Sequence, residues 1–210
     1  MQIIVLGDKV SRENIKTKNK NAAVQIICAD TPAEISNYTF AEAVFILNEE
    51  INMAEIKACI DKPVFINSTL NTLKELQLPK NISRINGWPT FLQRETWEIA
   101  SNDDTIVKNI FEKLEWKYIS VADEPGLVSA RIICMIINEA YFALDDNVSS
   151  KAEIDLAMKL GTNYPYGPFE WGKKIGLQKI YSLLKKLSET DSRYNVAPAL
   201  KNELHNLQWH

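Results

Sequence analysis

The stretch "EPGLVSARIICMIINEAYFALDDNVSSKAEIDLAMKLGTNYPYGPFEWGKKIGL", Glu124 to Leu177, divides the chain into two kinds of sequence. Upstream of it, short β-like runs alternate with helical ones. From Asp123-Glu124-Pro125-Gly126 onward no convincing strand pattern occurs. Residues 127–144 are apolar nearly all round, which predicts a helix buried on nearly all sides. Residues 149–161 predict a second helix, with Ser149 or Ser150 as cap, Glu153 in the first turn and Gly161 as the stop. "YPYGPFEW" (164–171) reads as a stiff connector. Pro165 and Pro168 fix φ, Gly167 permits a turn, and Phe169 and Trp171 are placed to anchor in a helical core. Residues 175–189 form an amphipathic pattern, with Ile180, Tyr181, Leu183, Leu184 and Leu187 on one side, and 197–208 predict a final short helix.

The first 122 residues carry apolar runs at 3–6, 24–28, 43–47, 63–67, 82–86 and 117–121. Several are unbroken rather than alternating, as expected of strands buried on both faces of a parallel sheet. Helical spacing occupies Met53 to Ile60 and Thr105 to Leu114, and Thr31-Pro32-Ala33-Glu34 reads as an N-cap, a proline at N1 and an acidic first turn. Alternation of this kind predicts a doubly wound α/β domain over 1–122 and an all-helical domain over 123–210.

Composition narrows the function classes. The chain has 210 residues, 46% apolar and 24% charged, with a formal charge of -3. No basic stripe exists to meet nucleic-acid phosphates. Lys16, Lys18 and Lys20, interleaved with Asn and Thr, read as a solvated loop or helix end. No apolar run reaches the roughly 20 residues of a membrane span, and "MQIIVLGD" lacks the features of a signal peptide. Cys28, Cys59 and Cys134 are scattered inside apolar runs, as expected of buried thiols in a reducing cytoplasm rather than disulfides or a metal site. The two histidines are His205 and His210.

The helical half resembles the C-terminal domain of the 3-hydroxyacyl-CoA dehydrogenase family. The resemblance lies in Pro125-Gly126-Leu127, Arg131, Asn138-Glu139-Ala140, Glu153-Ile154-Asp155, Ala157 to Gly161 and Pro165 to Glu170, about 50 residues in all. "SRYNVAPAL" (192–200) is also similar to the family's next segment. The resemblance implies a Rossmann-like NAD-binding first domain. It also implies a helical second domain, like that of 6-phosphogluconate dehydrogenase, which forms a homodimer, and an active site in the cleft between the two. A His there takes the hydroxyl proton while hydride passes to nicotinamide; a Glu orients the His, and a Ser and an Asn assist. Such a base needs a pKa near working pH, which His supplies.

Carried over residue by residue, that chemistry is largely missing. Of the family's three glycines after the first strand only Gly7 remains; Lys9 and Arg12 take the other two positions, where side chains crowd a pyrophosphate, and Asp8 repels it. Asp30, at the end of the second strand, is the candidate ribose ligand. The catalytic His position in "RINGWPTFLQ" (84–93) is Pro89, two residues after Gly87, and the catalytic Asn position is Ala130. "INST" (66–69) resembles the family's Ser-Asn-Thr-Ser stretch, so Thr69 takes the Ser position and Asn67 and Ser68 are substrate-binding candidates. Glu98 in "TWEIAS" matches the family's Glu. The helical excursion before the third strand is absent, because about 15 residues separate those runs and leave room for one small helix. The family's Gly-rich tail has no counterpart before "NLQWH".

The expectation is therefore a 3-hydroxyacyl-CoA dehydrogenase-like protein of acyl-CoA metabolism with lost or much reduced NAD-dependent activity. The alternative is a non-catalytic acyl-CoA-binding or dimer-forming protein on the same scaffold. No metal, membrane or nucleic-acid partner is expected.

Overall fold

The computed structural model describes residues 1–48 and 52–208, so His210 lies outside the described residues. The chain forms two compact units, Met1–Leu127 and Val128–His210.

In the first unit, the described residues form one sheet of seven strands: β1 (Gln2–Leu6), β2 (Gln25–Ala29), β3 (Ala43–Ile46), β4 (Val64–Asn67), β5 (Ile82–Ile85), β6 (Thr96–Ser101) and β7 (Lys117–Ser120). Their order is β2-β1-β3-β4-β5-β6-β7. The first five are mutually parallel. The run "TWEIAS", which is β6, turns back antiparallel to β5, pairing Arg84 with Ala100, and β7 lies parallel to it.

The unbroken apolar runs are explained by burial on both faces. Ile3 and Val5 point into one core with Phe45, Phe65 and Ile85; Ile4 and Leu6 point into the other with Val44, Val64 and Ile82. Helices α1 (Lys9–Lys18) and α4 (Asp104–Leu114) cover the first face through Ile15, Val107, Ile110 and Phe111. Helices α2 (Pro32–Ile35) and α3 (Met53–Lys57) cover the second through Ile35 and Ile56. Pro32 opens α2 as expected, but the Thr31 side chain does not cap it; its hydroxyl donates to Glu34 instead.

The second unit is helical: α5 (Ser129–Asp145), α6 (Lys151–Thr162), α7 (Pro168–Ile175), α8 (Leu177–Ser188) and α9 (Pro198–Gln208). Three expectations are corrected here. First, α5 is not buried nearly all round: Ile133, Cys134, Ile137 and Tyr141 are buried, but Ile132 is 54% exposed. Second, Gly161 does not stop α6. The helix runs to Thr162 and ends at Asn163, whose φ of 54° supplies the left-handed cap. Third, the aromatic connector is half helix. Pro168 sits in the first turn of α7, where its missing N–H costs nothing, and Gly176 at φ 99° separates α7 from α8.

That connector is pinned from outside itself. The Asp155 carboxylate on α6 accepts from the N–H groups of Phe169 (2.8 Å) and Glu170 (3.2 Å), capping α7 across space. A Cβ on Gly167 would overlap Asp155, so only glycine lets the carboxylate come this close. Glu170 accepts from the Gly167 N–H at 3.1 Å and pairs with Lys159 at 2.6 Å. Phe169 packs edge-on against Tyr141, and Trp171 is buried against Tyr166. Asn138, fully enclosed on α5, donates to the Asn195 carbonyl and accepts from the Ala197 N–H, both at 2.9 Å. These contacts give structural roles to the residues that carry the family resemblance.

Candidate functional site

In a doubly wound sheet, ligands bind beyond the carboxyl ends of the strands, at the point where strand order reverses. Here β1 lies between β2 and β3, so the crevice opens above Gly7. A Cβ on Gly7 would stand 3.0 Å from Leu47 Cβ, so the missing side chain lets the end of β3 approach. Leu47 in turn donates its N–H to the Leu6 carbonyl at 2.7 Å.

The turn after β1 is satisfied from within. Asp8 is the N-cap of α1, and its Oδ1 accepts the Ser11 N–H at 2.6 Å. Helix N-termini attract phosphates because their first amides are unpaired and the dipole is positive there. Asp8 has used one such amide and placed a negative charge beside the others. Arg12, at the third glycine position, reaches across to β2. Its Nη1 pairs with Asp30 Oδ1 at 2.5 Å and its Nη2 donates to the Ala29 carbonyl at 2.8 Å. The candidate ribose ligand Asp30 is thus held by a guanidinium. The turn thus carries a carboxylate at the helix N-terminus and an arginine tied to the end of β2, a poorer fit for a pyrophosphate than a glycine-lined turn with free amides.

Further along the strand ends, "INST" is buried: Asn67 is 4% exposed, Ser68 5% and Thr69 5%. Asn67 Oδ1 accepts the Gly87 N–H at 2.9 Å, and its Nδ2 donates to the Leu47 carbonyl at 3.4 Å, tying β3, β4 and β5 together. Ser68 Oγ donates to the Asn71 carbonyl at 2.7 Å, and the Thr69 carbonyl accepts from Gly126 at 2.6 Å. Gly7, Leu47, Asn67 and Gly87 therefore form one row across the sheet end. Pro89 is exposed in the loop beyond it, and Thr90 beside it has a φ of 76°, a conformation side chains rarely adopt. Glu98 is half-buried on β6, opposite Ile119 of β7, and its charge acts on Arg94. Ala130 lies fully buried on α5, in the helical unit.

Sequence reasoning missed Arg84. It sits on β5 with no exposed surface, on the same face as Ile82. Its Nε pairs with Asp123 at 2.6 Å, its Nη1 donates to the carbonyls of Ser68 (3.2 Å) and Asn71 (2.7 Å), and its Nη2 donates to that of Glu124. Asp123 also accepts from the N–H groups of Leu73 and Lys74. Burial lowers the Arg84 pKa and the Asp123 charge opposes that shift. The signal was available: period-two alternation puts residue 84 on an inward face, where a charge must find a partner.

The basic patch is also corrected in part. Lys16 pairs with Glu13 on the surface, but Lys18 is half-buried, with Nζ on the carbonyls of Arg94 and Glu95 and over the rings of Trp97 and Trp116. Among the described residues, no group of three His, Cys, Asp or Glu side chains is placed to hold a metal, and no helix is long and apolar enough to cross a membrane. Burial pushes the Cys59 thiol up to about 11 and raises Cys134 as well, which makes both poor nucleophiles.

Set beside known proteins, residues 126–208 match the model for the 3-hydroxyacyl-CoA dehydrogenase C-terminal domain. The chain is 45% identical over 107 residues to 3-hydroxyadipyl-CoA dehydrogenase of Escherichia coli, covering 49% of this chain and 22% of that one. It is 42% identical over 84 residues to 3-hydroxybutyryl-CoA dehydrogenase of Clostridioides difficile, covering 39% and 30%. The chain thus spans less than a third of the length of either relative. Among solved structures, (S)-3-hydroxybutyryl-CoA dehydrogenase from Ralstonia eutropha shares the fold with a TM-score of 0.72 at 18% identity, over 98% of this chain and 93% of that one. FadB2 of M. tuberculosis shares it with a TM-score of 0.77 at 11% identity, over 98% and 94%.

Proposed function

We propose, from the match of its helical unit to the 3-hydroxyacyl-CoA dehydrogenase C-terminal domain, that the chain is a member of that family that has given up NAD-dependent hydride transfer. It serves acyl-CoA metabolism in the cytoplasm as a thioester-binding protein. The observation that carries this reading is the turn after β1, where Asp8 caps α1 and Arg12 holds Asp30. Pro89 and Ala130 at the base and amide positions support it, since neither side chain can transfer a proton. Loss of a general base alone costs about 10²–10⁴-fold in rate. The acyl-CoA assignment rests on the names of the relatives.

Thermal unfolding with NADH or with acetoacetyl-CoA tests the proposal. A ligand at 100 times its Kd stabilises the fold by roughly 2.7 kcal/mol. The expected result is a shift with acetoacetyl-CoA and none with NADH. A shift with NADH together with oxidation of 3-hydroxybutyryl-CoA would overturn it.

A second reading concerns assembly: the helical unit pairs with a second copy of itself. Helix α6 carries Ile154, Leu156, Met158 and Leu160, yet none of its residues is buried, and Leu160 is 78% exposed. Exposed apolar surface of this kind marks an interaction face.

A further inference from the structure

The sheet of the first unit has two edges, β2 and β7. Edge strands present unpaired backbone groups, and proteins commonly blunt them with charges, proline or bulges. Strand β7 opens with the exposed Lys117. Strand β2, Gln25-Ile26-Ile27-Cys28-Ala29, has no charge and no proline, and its five residues pair with β1 without a bulge. Ile26, Ile27 and Cys28 are half-buried, so the edge is not roofed over.

Backbone alternation decides which groups point outward. The Gln25 N–H donates to the Met1 carbonyl at 2.9 Å, on the β1 side. Ile27 and Ala29 therefore also face β1, while Val24, Ile26, Cys28 and Asp30 direct their N–H groups away from it. The outer two of these are closed within the chain. Val24 donates to the Asn21 carbonyl at 3.1 Å, and Asp30 donates to Glu34 Oε2 at 3.0 Å. The N–H groups of Ile26 and Cys28 have no acceptor among the described residues. What remains is a slot of two amides and two carbonyls, centred on Ile27.

We propose that this slot pairs with the same slot of a second copy of the chain, antiparallel across a two-fold axis at Ile27. In that register Ile26 stands opposite Cys28 of the second copy, and Cys28 opposite Ile26 of the second copy. Residues opposed in this way exchange both N–H···O bonds, so four hydrogen bonds use every open amide of the two strands. Centring on Ile26 or on Cys28 instead sets an open residue against Val24 or Asp30, whose N–H groups are already used. The charges beside the edge suit the same arrangement. Arg12 reaches Asp30 and the Ala29 carbonyl, so that side of α1 borders β2, and next to it Glu13 and Lys16 are exposed. Antiparallel pairing turns α1 end for end against its copy and brings Lys16 of each toward Glu13 of the other. A two-fold contact uses one patch on both copies and closes after two. Four bonds over a five-residue strand make a small interface, so the pairing belongs at submillimolar rather than micromolar protein.

Amide hydrogen exchange tests this on the full chain carrying Leu160→Lys, so that pairing through the helical unit does not contribute. The Ile26 and Cys28 amides should exchange about tenfold more slowly at submillimolar than at micromolar protein. Those of Val24 and Asp30, bonded within the chain, should change little. Sedimentation over the same range should show monomer passing to dimer and nothing larger. Ile26→Pro removes an outward donor and no bond to β1, so it should abolish the concentration dependence at Cys28. If Ile26→Pro does not fold, Ile27→Lys sets two like charges together at the axis and should have the same effect. Fast exchange at both amides at every concentration, or protection that does not depend on concentration, would overturn the proposal. So would protection that survives in the folded variant, or growth into polymers, which would mark open-ended edge association instead.

Discussion

Asn67 and Gly87 interlock across the ends of β4 and β5. The carboxamide oxygen accepts the Gly87 N–H at 2.9 Å, and its Cγ lies 2.5 Å from where a Cβ on residue 87 would stand. Gly87→Ala is therefore expected to destabilise the first unit by about 1–3 kcal/mol through overpacking. Asn67→Ala leaves the buried Gly87 amide unpaired, at a cost of about 1–3 kcal/mol. In the double variant the overlap with Cγ and Oδ1 is gone and only that with the Cβ of residue 67, at 2.8 Å, remains, so urea denaturation should give less than the sum. Strict additivity would show that the two residues are not coupled.

Arg84 holds two chain segments, 68–71 and 123–124, to β5, and its removal takes from Asp123 its cationic partner. Arg84→Met should cost about 3–5 kcal/mol, the range for breaking one side of a buried ion pair. Chemical denaturation measures this directly. A loss below about 1 kcal/mol would mean that the carbonyls of Ser68, Asn71 and Glu124 find water without strain.

The Arg12–Asp30 pair contributes little stability, since Asp30 is 77% exposed and such pairs are worth about 0–1 kcal/mol. Replacing Asp8 by Gly costs only a few tenths of a kcal/mol at an N-cap. The double variant Asp8→Gly, Arg12→Gly should stay folded and gain measurable NADH affinity by fluorescence titration, relative to a parent that shows none. Equal silence in both proteins would mean that something other than these two side chains closes the crevice.

Glu153 accepts three hydrogen bonds at the start of α6, from Ser149 Oγ, Ser150 Oγ and the Ser150 N–H. They depress its pKa from 4.5 to about 2. A depressed acid stabilises the fold above its unfolded pKa, and that contribution fades as pH falls through the folded value. Stability should thus decline between pH 4.5 and about 2 in a way that Glu153→Gln removes. A Glu153→Gln protein with the same acid profile would assign the decline to other carboxylates.

Self-association has its own measurement. Ile132 on α5 is 54% exposed and Leu156 on α6 is 54% exposed. Sedimentation velocity should find a dimer at micromolar protein, and Leu160→Lys should shift it toward monomer without loss of helicity. A parent that sediments as a monomer rules out the pairing.

How much of this was legible differs between the two units. The parallel sheet could be read because Ile3 to Leu6 face two cores, which leaves an unbroken apolar run. The antiparallel return of β6 could not, because strand direction depends on the loop after Gly87 rather than on the strand's own residues. Helix α7 was hidden because its start depends on Asp155, which lies on another helix. Gly161 misled because a glycine inside a helix resembles a glycine at its end. At the strand ends the sequence located Gly7, Asp30 and Asn67. It did not reveal that Arg12 would claim Asp30, or that Arg84 would be enclosed, because both depend on distances between strands far apart in the chain.

The cap that Asp155 places on α7 has a kinetic meaning. The amides of Phe169 and Glu170 are closed by a residue on α6, so neither can be protected before α6 has formed and docked. Amides in the interior of α7 need only their own helix. In native-state hydrogen exchange these two N–H groups should open together with α6, as one cooperative block. The first turn of α7 thereby becomes an internal clock for the assembly of the helical unit.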